Sequence, residues 1–258
     1  VQNDIILNIE NVNMAYHTIS KETLAVNNVS FSVKRGEFFS IVGPSGCGKS
    51  TLLSIISGLL KPESGTITID DQPLLGPNPK IGYMLQRDHL FEWRNILQNV
   101  LLGLEVQHKL TKETKEHAIN LLDTYGLSDF KYNYPRQLSG GMKQKVALIR
   151  TLAINPEVLL LDEPFSSLDY QTRLYISDEV LSIIQKEKKT AILVTHDIAE
   201  AVSMSDRVMV LSHRPAIVKN IYDITLSGGA QSAIQKRTAP EFREYFNMIW
   251  KELDIHDP

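Results

Sequence analysis

Apolar and polar positions follow two rhythms along the chain, and the change between them divides it. From Ile5 to Tyr16 apolar residues alternate loosely with polar ones, as a half-exposed strand requires. The polar stretch His17 to Glu22 reads as a hairpin loop, and Val29, Phe31 and Val33 resume the alternation. Lys34-Arg35-Gly36-Glu37 is a turn into Phe38-Phe39-Ser40-Ile41-Val42, a short apolar run that predicts a buried strand. Leu52, Leu53, Ile55, Ile56, Leu59 and Leu60 then recur at three and four residues, which predicts a helix with one buried face. Pro62-Glu63-Ser64-Gly65 is a loop, and Thr66 to Asp70 alternates as a strand. A Pro/Gly-rich connector from Pro73 to Pro79 leads to a strand over Ile81 to Leu85.

From Gln86 the helical rhythm dominates. Helices are predicted over Ile96 to Leu104 and over Lys112 to Tyr125, the second with Ala118, Leu121, Leu122 and Tyr125 on one face. A third follows Ser139, with Met142, Val146, Ile149 and Ala153 in register. Strand character returns at Val158 to Leu161 and at Ala191 to Val194, and closing strands are expected over Val208 to Leu211 and Ile217 to Ile224. A short amphipathic helix around Phe242, Phe246 and Trp250 ends the pattern. Strands alternating with helices imply a mainly parallel sheet covered on both faces. The fold expected is therefore α/β in one domain. Residues 1–86 and 157–258 form the core with an antiparallel N-terminal β subdomain, and residues 87–156 form an inserted α-helical subdomain.

The junction between the buried strand and the first helix changes the picture most. Gly43-Pro44-Ser45-Gly46-Cys47-Gly48-Lys49-Ser50-Thr51 fits G-x-x-x-x-G-K-[ST] in the strand–loop–helix context that makes it a phosphate site, the mark of a P-loop NTPase core. Glycines let the backbone curl so that its N–H groups face polyphosphate oxygens, and the helix N-terminus adds partial positive charge. Lys49 is placed for the β- and γ-phosphates, and the Ser50 hydroxyl for Mg²⁺. The alternative, a flexible loop that only joins strand to helix, does not call for all the fixed positions at once. This stretch is read as a nucleoside-triphosphate site.

Composition narrows the rest. The 258 residues are 43% hydrophobic, enough for a sizeable core, and the formal net charge of −3 lacks the basic footprint of a protein whose main partner is nucleic acid. Lys186-Glu187-Lys188-Lys189 reads as a solvated helix end. Cys47 is the single cysteine, which excludes an intrachain disulfide and a cysteine-based metal site. Its place in the loop suggests a handle for thiol reagents. No apolar run approaches bilayer length and no signal-peptide pattern is visible at the first residues, so the expectation is a soluble intracellular chain that reaches a membrane only through another subunit.

The strand Val158 to Asp162, followed by Glu163-Pro164, ends in two carboxylates. One could hold the Mg²⁺ that bridges phosphates, and the second could polarise a water for attack on the γ-phosphate. With Leu138-Ser139-Gly140-Gly141-Met142-Lys143-Gln144 just upstream, the sequence resembles ATP-binding-cassette ATPases over essentially its whole length. A serine and two glycines opening a helix make a second anion site. The resemblance implies that Ser139, Gly140 and Gly141 bind the γ-phosphate held by a second copy, two chains sandwiching two ATPs. It also implies that Ser167-Leu168-Asp169 crosses that interface and that Gln86 contacts Mg²⁺ and water while coupling core to helical subdomain. By the same resemblance Asp162 and Ser50 serve Mg²⁺, Glu163 activates water, and His196 contacts the γ-phosphate. Tyr16 falls where the family stacks an aromatic ring on adenine, although a strand tyrosine is as often core or surface.

Gln86-Arg87-Asp88 followed by Trp93-Arg94-Asn95 resembles ATPase subunits of bacterial importers for nitrate, sulfonates, taurine and related compounds. Where that group often has Leu-Pro-Trp, this chain has Phe91-Glu92-Trp93. Trp93 either packs inside the helical subdomain or shapes the groove for a permease helix. Leu226-Ser227-Gly228-Gly229-Ala230-Gln231 repeats the signature letters but is followed by no helical apolar face, and reads as a surface loop. The implied partners are transmembrane permease subunits, a second ATPase copy and, indirectly, an extracytoplasmic solute-binding protein, with the chain on the cytoplasmic side of the membrane. Two rivals remain. A soluble cassette ATPase acting on DNA or ribosomes would carry long coiled coils or tandem cassettes, and a non-hydrolysing switch would lack the carboxylate or the histidine.

Overall fold

The computed structural model describes residues 4–18, 22–227 and 232–253. In chain order it has β1 (Ile5–His17), β2 (Glu22–Lys34), β3 (Phe38–Val42), α1 (Lys49–Ile56), β4 (Ser64–Ile69), β5 (Gln72–Pro73) and β6 (Ile81–Met84). The chain is then helical through α2 (Ile96–Val106), α3 (Lys112–Thr124) and α4 (Gly140–Ala153) before β7 (Val158–Asp162). It closes with α5 (Tyr170–Lys186), β8 (Thr190–Thr195), α6 (Ile198–Met204), β9 (Arg207–Leu211), β10 (Val218–Asp223), α7 (Ala233–Lys236) and α8 (Pro240–Leu253).

One sheet is antiparallel, in the order β2-β1-β4-β5, with Val12 opposite Val29 and Ile9 opposite Phe31. The other runs β10-β9-β3-β8-β7-β6 and is parallel except for the edge pair β9–β10. The central strands β3, β7 and β8 of the parallel sheet are mostly apolar and wholly buried because both faces are covered. On β7 and β8, Val158, Leu160, Ile192 and Val194 face the layer of α1 and the antiparallel sheet. Leu159, Leu161, Ala191 and Leu193 face α2, α3, α4 and α5. The expectation of a mainly parallel core with an antiparallel N-terminal sheet holds.

Two local expectations are corrected. Helix α1 stops at Ile56, so Leu59 and Leu60 are not on it, and Leu59 is 61% exposed. Gly58 takes φ +77 where a Cβ would stand 2.2 Å from the Gly76 carbonyl oxygen, and that crossing ends the helix. The Pro73–Pro79 connector is also not wholly irregular, since Gln72 and Pro73 pair with Ile69 and Thr68. The two sheets are joined by charge. Arg35 and Lys80 each reach both Asp70 and Glu157, at 3.0 Å and 3.1 Å for the Glu157 contacts.

The helical stretch is tied back to the loop that leaves β6. Asn99, fully buried on α2, accepts from Phe91 N at 2.7 Å and donates to the carbonyls of Phe91, Arg94 and Asn95. Arg150 on α4 donates to Asp88 O at 2.7 Å and His89 O at 2.8 Å. A buried polar side chain that satisfies several backbone groups fixes the local path of the chain. Trp93 lies on this fixed path, is 74% exposed and stacks on Phe91 at 4.7 Å, so it does not pack inside the helices.

Candidate functional site

Residues 43–48 form the turn between β3 and α1. Gly48 takes φ +127, and a Cβ there would meet the Ala25 carbonyl oxygen at 2.6 Å, so any side chain would push the loop off β2. No side chain caps the start of α1 and no acidic residue occupies its first turn, which leaves the N-terminal N–H groups and their partial positive charge for an anion. Lys49 Nζ folds back across the loop and donates to Gly43 O at 2.8 Å and Pro44 O at 2.9 Å. Arg214, far along the chain, donates to Gly46 O from Nε at 3.1 Å and from Nη2 at 2.8 Å. Ser45 and Gly46 are exposed at the rim. Cys47 is 1% exposed, and burial pushes its thiol above the usual range, so the expected handle for thiol reagents is corrected to a packed side chain.

Tyr16 at the end of β1 keeps 43% exposure and shares a hydrogen bond with Thr51 Oγ1 at 3.2 Å. An aromatic face is thus held beside the helix N-terminus. Across the loop, Ser50 Oγ donates to Asp162 Oδ1 at 3.3 Å and Tyr83 OH to Asp162 Oδ2 at 3.2 Å. Burial holds the Asp162 carboxyl above the ordinary carboxylate range, against the pull of both hydrogen bonds. The Tyr83 phenol is pushed up as well, by burial first and then by the Asp162 charge.

Glu163 follows with φ +44, a left-handed conformation that costs a non-glycine residue about 1 kcal/mol or more. Its N–H donates to Val194 O at 2.8 Å, which continues the β7–β8 pairing. Its side chain turns back toward the strand ends, where Oε2 stands 3.2 Å from His196 Nδ1 and 3.3 Å from Gln86 Nε2. Three residues expected from the sequence meet at one carboxylate oxygen. His196 is itself held in place by its neighbours. Thr195 Oγ1 accepts from Asp197 N at 3.0 Å and donates to Glu200 Oε2 at 2.7 Å.

Ser139, Gly140, Gly141 and Asp169 form a second group. Ser139 caps α4, accepting from Met142 N at 3.3 Å, and Asp169 caps α5, accepting from Thr172 N at 3.1 Å. Atoms of Leu168 and Ile176 are the neighbours of Gly140 and Gly141. These contacts lie with α4 and α5 and not with residues 43–51. In the repeated signature letters, Ser227 bonds Glu241 through N at 3.1 Å and Oγ at 3.0 Å, while residues 228–231 lie outside the described residues.

Among the described residues no group of three or more His, Cys, Asp or Glu could hold a metal. A hard cation bound through one carboxylate, one hydroxyl and substrate oxygens needs no such group, and the Ser50–Asp162 pair supplies that oxygen set. Sequence reasoning missed Tyr83, Arg214, Arg173, Thr195 and Glu200. Only Tyr83, inside a predicted strand aligned with Leu160, had a position from which its contact could have been guessed.

The ABC transporter family model matches residues 26–166. An uncharacterized ABC transporter ATP-binding protein of Bacillus subtilis, YtlC, is 47% identical over 96% of this chain and 95% of its own length. The nitrate import ATP-binding protein NrtD of Synechocystis is 40% identical over 94% of this chain and 93% of its own. The dimeric cassette MJ0796, in a post-hydrolysis state bound to ADP and Pi, superposes with a TM-score of 0.72 at 32% identity, covering 85% of this chain and 99% of that one. A phosphate loop, a paired-carboxylate strand end and a separate signature group, together with these similarities along most of the chain, give one conclusion. The chain belongs to the ABC transporter family and is one of its ATP-binding, ATP-hydrolysing subunits.

Proposed function

We propose that this subunit powers a bacterial importer of a small oxyanion or sulfonate, of the nitrate, sulfonate or taurine class. The convergence of Gln86, Glu163 and His196 beside the Ser50–Asp162 pair carries the hydrolytic part of the reading. Relatedness to a nitrate import subunit along nearly both chains supports the substrate class.

In this reading the loop amides from Gly43 to Thr51 take the phosphates. Lys49 exchanges its two carbonyl partners for β- and γ-phosphate oxygens, and Tyr16 stacks on adenine. Mg²⁺, held by Ser50, Asp162 and Gln86, would neutralise phosphate charge. Glu163 accepts a proton from water as the water oxygen bonds to the γ-phosphorus. The bond to the β–γ bridging oxygen breaks, and ADP leaves with the electron pair. Gln86 and His196 orient the Glu163 carboxylate, and His196 also touches the γ-phosphate.

Ser139, Gly140, Gly141 and Asp169 complete the site of a second copy, so closure of a head-to-tail dimer depends on ATP. Residues 87–156 act as the helical subdomain that transmits this closure. Support comes from Asn99 and Arg150, which tie the segment between Gln86 and Asn95 to α2 and α4. Exposed Trp93, stacked on the half-buried Phe91, is the contact for a permease helix. Among the described residues no helix is long and apolar enough to cross a membrane, so association with the cytoplasmic face runs through that permease.

The test is purification of the tagged chain with its membrane complex and reconstitution into vesicles, with Mg-ATP on the side of the chain. Labelled nitrate, taurine and ethanesulfonate are the probes. ATP-dependent uptake of one of them is expected. ATPase activity with no membrane partner would overturn the transporter reading, and a partner that moves none of the probes would overturn the substrate class.

A further inference from the structure

Arg173, on the first turns of α5, touches both the loop carrying Asp169 and the loop carrying His196. Its Nη2 donates to the carbonyl of Leu168 at 3.1 Å, the residue directly before Asp169. Its Nη1 reaches Asp197 Oδ2 at 3.5 Å, the residue directly after His196. Its Nε, buried and without a hydrogen-bond partner, faces Glu200 Oε1 at 3.8 Å. Glu200 is 3% exposed and holds Thr195, on the other side of His196, through the 2.7 Å hydroxyl bond. Asp197 also caps α6, accepting from Ala199 N at 2.8 Å and Glu200 N at 3.1 Å. Both neighbours of His196 are thereby pinned to one guanidinium, either directly or through one carboxylate.

We infer that Arg173 is a positioning residue for ATP hydrolysis, a fork that makes the placement of His196 against Glu163 depend on the placement of the Asp169 loop. A planar guanidinium spreads its donors in fixed directions and so reaches a carbonyl and two carboxylates that lie apart, whereas an ammonium offers its three donors at one point. If the Asp169 loop moves when a second copy docks, the Leu168 carbonyl moves with it, and Arg173 carries that displacement to Asp197 and Glu200. His196 Nδ1 then shifts relative to Glu163 Oε2, its partner at 3.2 Å. Formation of the dimer and readiness for hydrolysis would thus be linked inside each chain. The inference rests on the proposed roles of His196 and Asp169.

The test measures steady-state phosphate release, nucleotide affinity and thermal midpoint on the full chain and on Arg173→Met, Arg173→Lys, His196→Ala and the double variant Arg173→Met/Glu200→Gln. Arg173→Met should lower kcat by about 10- to 100-fold, the usual result of misplacing a reacting group by a fraction of its contact distance. ATP affinity should change by less than about twofold. Arg173→Lys should recover part of kcat. The double variant removes the stranded carboxylate, so it should regain thermal stability without regaining kcat. In a further double variant, adding Arg173→Met to His196→Ala should cost little more than His196→Ala alone, because both act on one step. Recovery of kcat in step with stability would reduce Arg173 to a structural residue and overturn the inference. Loss of kcat in His196→Ala but not in Arg173→Met would overturn it too, leaving the site reading intact. An unchanged kcat in His196→Ala would instead remove the site reading and the inference with it.

Discussion

Glu200→Gln should make the protein more stable at pH 8 and leave it nearly unchanged at pH 4.5. The Glu200 carboxyl is pushed from 4.5 up to about 7, first by burial. The hydrogen bond from Thr195 and the charges of Arg173 and Arg237 pull it back, while Asp197 adds to the rise. Because the folded chain holds this proton more tightly than the unfolded one, the favourable contribution is complete below about pH 4.5. It falls as pH rises and is gone above about pH 7. A gap of roughly 2.5 between the two values corresponds to about 3 kcal/mol at most. The amide has the same shape, can still pair with the Thr195 hydroxyl and carries no charge to bury. Urea unfolding of both proteins at pH 4.5, 6 and 8 would read the difference. With a urea m-value near 3 kcal/mol/M, the midpoint of the variant should lie about 1 M higher at pH 8 and coincide with the parent at pH 4.5. A difference that is the same at all three pH values, or a variant less stable at pH 8, would refute the reasoning.

Three further outcomes are expected. Lys49→Ala removes the ammonium that the loop folds toward the phosphate position and should weaken ATP binding by about 10- to 100-fold, since hydrogen bonds to charged groups contribute about 1.5–3 kcal/mol; a nucleotide titration checks it. Ser139→Arg should lower turnover by roughly 100-fold or more while the chain alone still binds ATP, because in the proposed dimer the damaged group completes the site of the other copy. Ser227→Arg, which removes the Oγ bond to Glu241 and keeps the backbone one, should change ATPase activity by less than about twofold, and parallel phosphate-release assays on the two variants decide between the stretches.

Much of the fold could be read because local pattern and tertiary role agree. β3, β7 and β8 are continuous apolar runs for the same reason that they are central strands, with helices or the second sheet on each face. The phosphate loop was legible because its spacing is set by backbone geometry within one strand–turn–helix unit. What escaped the sequence depends on contacts between distant segments. The end of α1 at Ile56 is decided by the Gly76 carbonyl, which periodicity at Leu59 and Leu60 cannot report. Cys47 sits inside the phosphate-loop motif, yet its side chain turns into the core. Arg214 and Arg173 brace the site from outside every motif, and a lone arginine in a polar segment looks like any other surface charge. The meeting of Gln86, Glu163 and His196 was expected only through resemblance, since nothing in spacing alone predicts it.

The most direct test of the hydrolytic account is Glu163→Gln, assayed for phosphate release and for ATP-dependent association by size exclusion. The amide keeps the shape and the neighbours of the carboxylate but cannot accept the proton of the attacking water. Turnover should fall by roughly 10² to 10⁴-fold. ATP should still bind, because Lys49, the loop amides, Ser50 and Asp162 are untouched. With two unhydrolysed nucleotides bridging the interface, linkage should favour a dimer in ATP that is lost in ADP. Near-parental turnover by Glu163→Gln would contradict the account and remove Glu163 from catalysis.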